Sequence, residues 1–425
     1  MKQKGCGRRK GRERALGVAC LGAASLLVLL PPSLNGQPVP NVVVWGAEFV
    51  APNGPMPPAP DDATNVVLVS DSGTFALALR ADGTVAAWGY SAFGETNVPP
   101  DLTNATAIAA GDLGMVLRPD GTVAEWGYDG AEVGQQPDEA YVPQAAGLTN
   151  AVAISGSGSC VALRADHTVA AWEPSPDPPY WSWDAATLYV WTAYTNSIPP
   201  YVPWTHTNAP PDLTNAVAIA AGPAHCLALR SDGTVVAWGW AFEGQTNVPA
   251  GLTSVAAIAT GDYFSMALRA DGTVAAWGAG LYGTTNVPPY LTNVVAIAMG
   301  SKHGLALLSD GTVVGWGDGS YGQIDIPPGL TNVVGIAAGL YSSMAVIGPA
   351  MPPSQVALTN FSLGAGGFTV QVPTDRGRVY ELEYKNSLTD TQWQLLPLAA
   401  GTGGLVQLND PTPSPAQRFY RVRRW

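Results

Sequence analysis

The side chains best suited to moving a proton near neutral pH are four histidines, and they are scattered. His167, His206, His225 and His303 fall at different places along the chain, and no serine–histidine–acid pattern can be read around any of them. The segment 89–94 (GYSAFG) misses the strand-to-helix nucleophile elbow by one residue and reads as a turn. No HExxH, phosphate-cradling glycine loop or CxxC pair occurs. The acidic pairs Asp61–Asp62 and Asp138–Glu139 stand beside proline, as solvated loops do. Cys160 and Cys226 precede the same apolar run, at a register where other copies carry Ala76, Gly114, Ser265, Gly304 and Ser343. That is a packing position for small residues. A disulfide between neighbouring repeats is the alternative in an oxidising compartment. The chemistry on offer is recognition, and no catalytic residue, cofactor or metal is implied.

Elements that could present a recognition surface are written in a repeat. The clearest copies are 225–239 (HCLALRSDGTVVAWG), 264–278 (FSMALRADGTVAAWG) and 303–317 (HGLALLSDGTVVGWG), and Trp238, Trp277 and Trp316 follow one another at 39 residues. Earlier copies place Trp88, Trp126 and Trp172 in the same role, with Asp82–Gly83, Asp120–Gly121 and Asp166–His167 at the turn. Aspartate–glycine between two apolar segments signals a tight hairpin, because such turns need positive φ. His167 departs from that pattern and is expected to strain or reshape its turn. Upstream of each hairpin lies an apolar strand ending at glycine. Downstream comes a segment ending in proline, such as 246–249 (TNVP), expected as a fourth, outer-edge strand.

Four strands per repeat make a propeller blade. Six complete hairpins are present, flanked by an orphan second half at 41–46 (NVVVWG) and an orphan first half at 341–347 (YSSMAVI). Joined, they complete a seventh blade and remove free sheet edges. The expected fold is all-β, a seven-bladed β-propeller over 37–350 closed by N- and C-terminal strands sharing one blade, followed by a small β-sandwich domain at 354–425.

The AWGWAFEGQTNVP series at 237–249 resembles the repeats of the regulator of chromosome condensation family of seven-bladed propellers. Within that family, the 39-residue period and the Thr-x-Val-Pro ending are similar to the secreted bacterial propellers that inhibit β-lactamases. Those members bind through aromatic and acidic loops on one face. The resemblance therefore implies partner contacts at Asp112, Asp262, Tyr263, Phe264, His303 and Tyr341. After the Trp–Gly pairs it implies Tyr90, Phe93, Trp240, Phe242, Tyr282 and Tyr321.

The flanks and one insertion complete the organisation. Residues 1–36 read as an export signal: seven Lys or Arg precede an apolar run over 15–30, with cleavage expected near Gly36 and an uncleaved anchor as the alternative. Trp172 and Trp238 are 66 residues apart, and the insert at 173–211 carries Trp181, Trp183, Trp191 and Trp204, candidates for stacking on sugars or on a protein. Residues 37–350 hold 26 acidic against six basic residues, a balance that repels phosphate backbones and anionic membranes. Residues 354–425 are mildly basic and resemble the C-terminal β-sandwich of exported planctomycete and verrucomicrobial proteins.

Together these features describe a non-enzymatic, bacterial-type exported protein, secreted or at the cell surface, that binds another protein through loop aromatics. A carbohydrate-binding, adhesin-like use of the Trp-rich insert is the second reading, with an envelope polysaccharide as partner. An enzyme with its site at the propeller channel is the third. The expected chain is monomeric, binds no nucleic acid and has no membrane span once the signal is removed.

Overall fold

The computed structural model describes residues 41–46, 56–91, 94–127, 145, 147–172, 208–348, 359–364, 367–412 and 418–424. The export signal, Phe93 and the four insert tryptophans lie outside them. Among the described residues the only helical element is one 3₁₀ turn, Leu281–Gly283; the rest is strand and turn. No helix there is long and apolar enough to cross a membrane.

The repeats form three-stranded antiparallel sheets, seven of them among the described residues. In chain order the second strands of the first six are Phe75–Arg80, Gly114–Leu117, Cys160–Arg164, His225–Arg230, Phe264–Arg269 and His303–Leu308. The seventh sheet joins Val333–Ala338 and Ser342–Ile347 to the first strand among the described residues, Val42–Gly46, with Val44 opposite Met344. Asn41 reinforces this seam: its carbonyl accepts from Ile347 N at 2.8 Å, and its side chain bonds Val66 of the first sheet in both directions. The first strand of the first sheet touches its counterparts in both the second and the seventh sheets.

The expected fourth strand is not a strand. Segments 246–249 and 285–288 are turns, in which Asn247 N bonds Gly244 O and Val248 N bonds Thr246 O. Proline removes a ladder donor, and the carbonyl just before the segment has another use. Trp277 Nε1 donates to Gln245 O at 2.9 Å, Trp316 to Thr284 O at 2.9 Å, Trp126 to Glu95 O at 2.9 Å and Trp45 to Gln323 O at 3.0 Å. Each turn thus caps the tryptophan of the next sheet. Each tryptophan in turn pairs with the small residue of the second strand, as in Gly304 opposite Trp316 and Ser265 opposite Trp277. A Cβ on Gly304 would lie 2.7 Å from the Trp316 ring, which explains the recurrence of small residues there. Cys160 and Cys226 occupy this register as buried free thiols, opposite Trp172 and Trp238. Burial pushes the Cys226 thiol up to about 12, so it is no nucleophile.

Two further three-stranded sheets make the C-terminal module. One holds Thr359–Gly364, Gly367–Pro373 and Leu405–Asp410; the other holds Val379–Lys385, Gln394–Ala400 and Phe419–Arg424. Val370, Val372, Tyr380, Leu382, Leu396 and Leu408 form their shared core.

Candidate functional site

The register of the repeat sorts its side chains onto two ends. Second strands begin beside the ends of first and third strands, Ser265 facing Thr260 and Phe264 facing Gly278. Loops after the first strand and after the Trp–Gly pair therefore share one end of every sheet. The Asp–Gly hairpins lie at the other.

At the hairpin end the C-terminal module is seated. Arg376 donates to the carbonyls of Ala81 and Ala105 at 3.3 and 2.5 Å, Gly377 N to Thr106 O, Leu398 N to Ala165 O, and Arg423 to Ser231 O at 3.1 Å. His167 completes the contact. It holds φ at 68°, as its turn requires, and its ring is buried between Ala216 O and Leu396 O at 3.1 and 3.3 Å, with Glu381 at 3.5 Å. The turn expected to be strained is thus a clasp between the two parts of the chain.

The loop end carries the aromatic rings. Phe242 is 79% exposed, Tyr282 53% and Tyr90 44%. Trp240 packs edge-on to Phe242 at 5.3 Å. Tyr321 and Tyr341 meet at 4.5 Å across the junction of the sixth and seventh sheets, and Lys302 stands 5.3 Å over Tyr282 across the junction of the fifth and sixth. Acids join them: Asp71 accepts from Ser342 Oγ at 2.6 Å and from Gly73 N at 2.8 Å, and Asp262 accepts from Ser301 Oγ. Tyr263 stands beside Asp262 in the same loop, half-buried. Burial pushes the Asp71 carboxyl up to about 6. Surrounding protein also raises the Asp112 carboxyl to about 6, although its surface stays solvent-accessible.

Two expected contact residues are corrected. Phe264 and His303 are buried, 3% and 0% exposed, and cannot meet a partner. They begin second strands, in the register of Phe75, Leu113, His225 and Ser342, which is buried in every one of these copies. Comparing copies would have flagged them. His303 Nε2 lies 2.9 Å from Ser343 Oγ, which donates to Gln323 O at 2.8 Å; His225, Ser265 and Gln245 repeat the arrangement at 2.7 and 2.8 Å. Because each serine spends its proton on a carbonyl, each histidine carries its proton on Nε2. Both Nδ1 atoms are buried without a partner. Burial pulls both rings down to about 4, so these serine–histidine pairs are neutral ties between sheets and not nucleophile–base pairs. No group of three or more His, Cys, Asp or Glu among the described residues could hold a metal.

Fold and face together define a repeat-built β-propeller whose hairpin end is covered by the C-terminal module and whose loop end is, among the described residues, uncovered. Residues 216–245, 255–284 and 294–323, spanning the fourth to sixth sheets, match the Regulator of chromosome condensation (RCC1) repeat. Among solved structures the chain is similar to Prp20p from Saccharomyces cerevisiae, a structure described with that protein's binding to Gsp1p and histones. The identity is 18%, the match covers 74% of this chain and 92% of that one, and the TM-score is 0.54. It is also similar to yeast RCC1 (Prp20) bound by Kap60, at 18% identity, covering 80% and 96%, with TM-score 0.50. At this identity the likeness establishes the fold alone. No curated protein matches the sequence.

Proposed function

We propose that this chain is an exported, non-enzymatic scaffold: a seven-bladed propeller capped by a small β-sandwich, which recognises a protein with a basic surface through the loop end of its sheets. One observation carries the reading. The module occupies the hairpin end, while exposed Tyr90, Phe242 and Tyr282 gather at the opposite one. Charge gives the partner its sign. Of the six basic residues in 37–350, Arg80, Arg118, Arg164, Arg230 and Arg269 stand beside the hairpins, leaving Lys302 for the aromatic end. Aromatic rings beside carboxylates favour lysine and arginine side chains. The same acidity disfavours nucleic acid.

The basic leader and apolar run at the N-terminus support export, and the similarity to propellers that inhibit β-lactamases supplies a first partner class to try. The test is surface plasmon resonance with the chain immobilised. The analytes are exported proteins graded by isoelectric point, class A β-lactamases among them, and neutral cell-wall glycans. Binding to basic proteins that disappears in a Tyr90→Ala, Phe242→Ala, Tyr282→Ala variant supports the reading. Glycan binding that survives this variant, without protein binding, overturns it.

A further inference from the structure

A second site lies inside the ring, away from the aromatic end. The turn 374–378 of the C-terminal module enters the space bounded by the first strands of the sheets, where Arg376 and Arg378 meet Val67, Val69, Ile297, Val334 and Ile336 around a cavity of about 230 Å³. Apart from those two guanidinium groups and two glycines, the lining side chains are aliphatic. Their situations differ. Arg376 is held by the Ala81 and Ala105 carbonyls. Arg378 makes no side-chain hydrogen bond or ion pair among the described residues, and the nearby Asp375 carboxylate is taken by Arg424 at 2.8 Å. Arg378 keeps part of its surface accessible, while surrounding protein and the Arg424 charge bring its guanidinium down to about 10. A cation so placed is only partly satisfied: it has lost part of its hydration, and the nearby Asp375 carboxylate that offsets its charge is hydrogen-bonded to Arg424 instead.

We propose that this cavity binds a small organic carboxylate, its anionic head on Arg378 and its short aliphatic tail against the Val and Ile side chains. Guanidinium is suited to carboxylate because its donors match the two oxygens, and such charge-assisted bonds are among the strongest in proteins. Size sets the tail. At about 30 Å³ for each water-sized unit, the space takes roughly seven or eight heavy atoms, a free acid of about six carbons and not the end of a peptide. The aliphatic side chains favour an apolar tail. The ligand would also bridge the two parts of the chain, since the head is held by the module and the tail by the repeat sheets.

Isothermal titration calorimetry of the full chain with hexanoate, hexanol and hexylammonium tests this, alongside Arg378→Met, Arg378→Lys and the cavity-filling Ala296→Leu. The expected result is saturable 1:1 binding of hexanoate with a rise in melting temperature. Arg378→Met weakens it by about tenfold or more, the scale of one charge-assisted hydrogen bond. Arg378→Lys retains part of the affinity, and Ala296→Leu loses binding with Arg378 intact, so the inference survives testing even if one variant fails to fold. Hexanoate binding unchanged in Arg378→Met, hexanol binding as tight as hexanoate, hexylammonium preferred through the acids at the other end, or no saturable hexanoate binding would each overturn it.

Discussion

The two ends of the sheets obey different rules. At the hairpin end six copies repeat one arrangement, in which the turn aspartate accepts both the backbone N–H and the hydroxyl of the threonine two residues on, as Asp271 does from Thr273 at 3.0 and 2.6 Å. The Thr273 hydroxyl, first among the causes, holds the Asp271 carboxyl below the usual carboxylate range. At the loop end the copies agree less: Tyr282 and Tyr321 share one position, five residues after their tryptophans, whereas Tyr90 and the Trp240–Phe242 pair stand at others. Uniformity marks the end whose geometry has to close a ring and seat a module. Variation marks the end free to be shaped by a partner.

Substitutions can break or sharpen that contrast. The largest effect is expected inside the sheets: Leu227→Ala, at a fully buried position, should cost about 2–5 kcal/mol in urea unfolding. Next come the buried histidines. Their folded pKa of about 4 lies below the ordinary 6.5, so the unfolded chain binds more protons between those values. Their contribution is full above pH 6.5 and lost as pH falls through about 4, by up to about 3 kcal/mol each. A His225→Gln, His303→Gln variant should show a flatter acid limb in denaturant midpoints.

Asp71 acts in the opposite sense. Its folded pKa of about 6 lies above 3.8, so its contribution is full below 3.8 and lost as pH rises through 6. Asp71→Asn should lose less stability than the parent between pH 5 and 7.5, by about 1 kcal/mol after allowing for its partial exposure. His167→Gly tests the hairpin end itself. It relieves positive φ but removes the clasp on Glu381, and should loosen the module in hydrogen exchange at a cost of about 1–3 kcal/mol. The smallest stability effect belongs to the loop end: Phe242→Ala should change unfolding by less than about 0.5 kcal/mol while weakening partner binding about tenfold or more.

The ring could be read in the sequence because repeats align. The orphan halves at 41–46 and 341–347 imply a shared blade, and the structure pairs them, with Val44 opposite Met344. The fourth strand is less legible, because TNVP is strand-like in composition and nothing local tells that the carbonyl before it caps the next tryptophan. The resemblance carries Phe264 and His303 into a binding loop by position, whereas their register is that of a buried second-strand start. His167 was visible as an exception, but its partner lies more than two hundred residues away. The unpartnered state of Arg378 was invisible for the same reason, since nothing local tells which arginine in a basic stretch finds a carboxylate.

The seam at Asn41 gives the fold a temporal order. Among the described residues Val42–Gly46 is the earliest strand made, and its ladder partner there, Ser342–Ile347, is the last of the repeat sheets, an interval of about three hundred residues. Until that partner emerges the ring stays unlatched, with one strand edge waiting at each end. Such long-range closure is slow relative to hairpin formation. A chain stopped anywhere before Ser342 would leave its first strand permanently unmatched, exposing both the edge and the Trp45 ring that the finished seventh sheet covers.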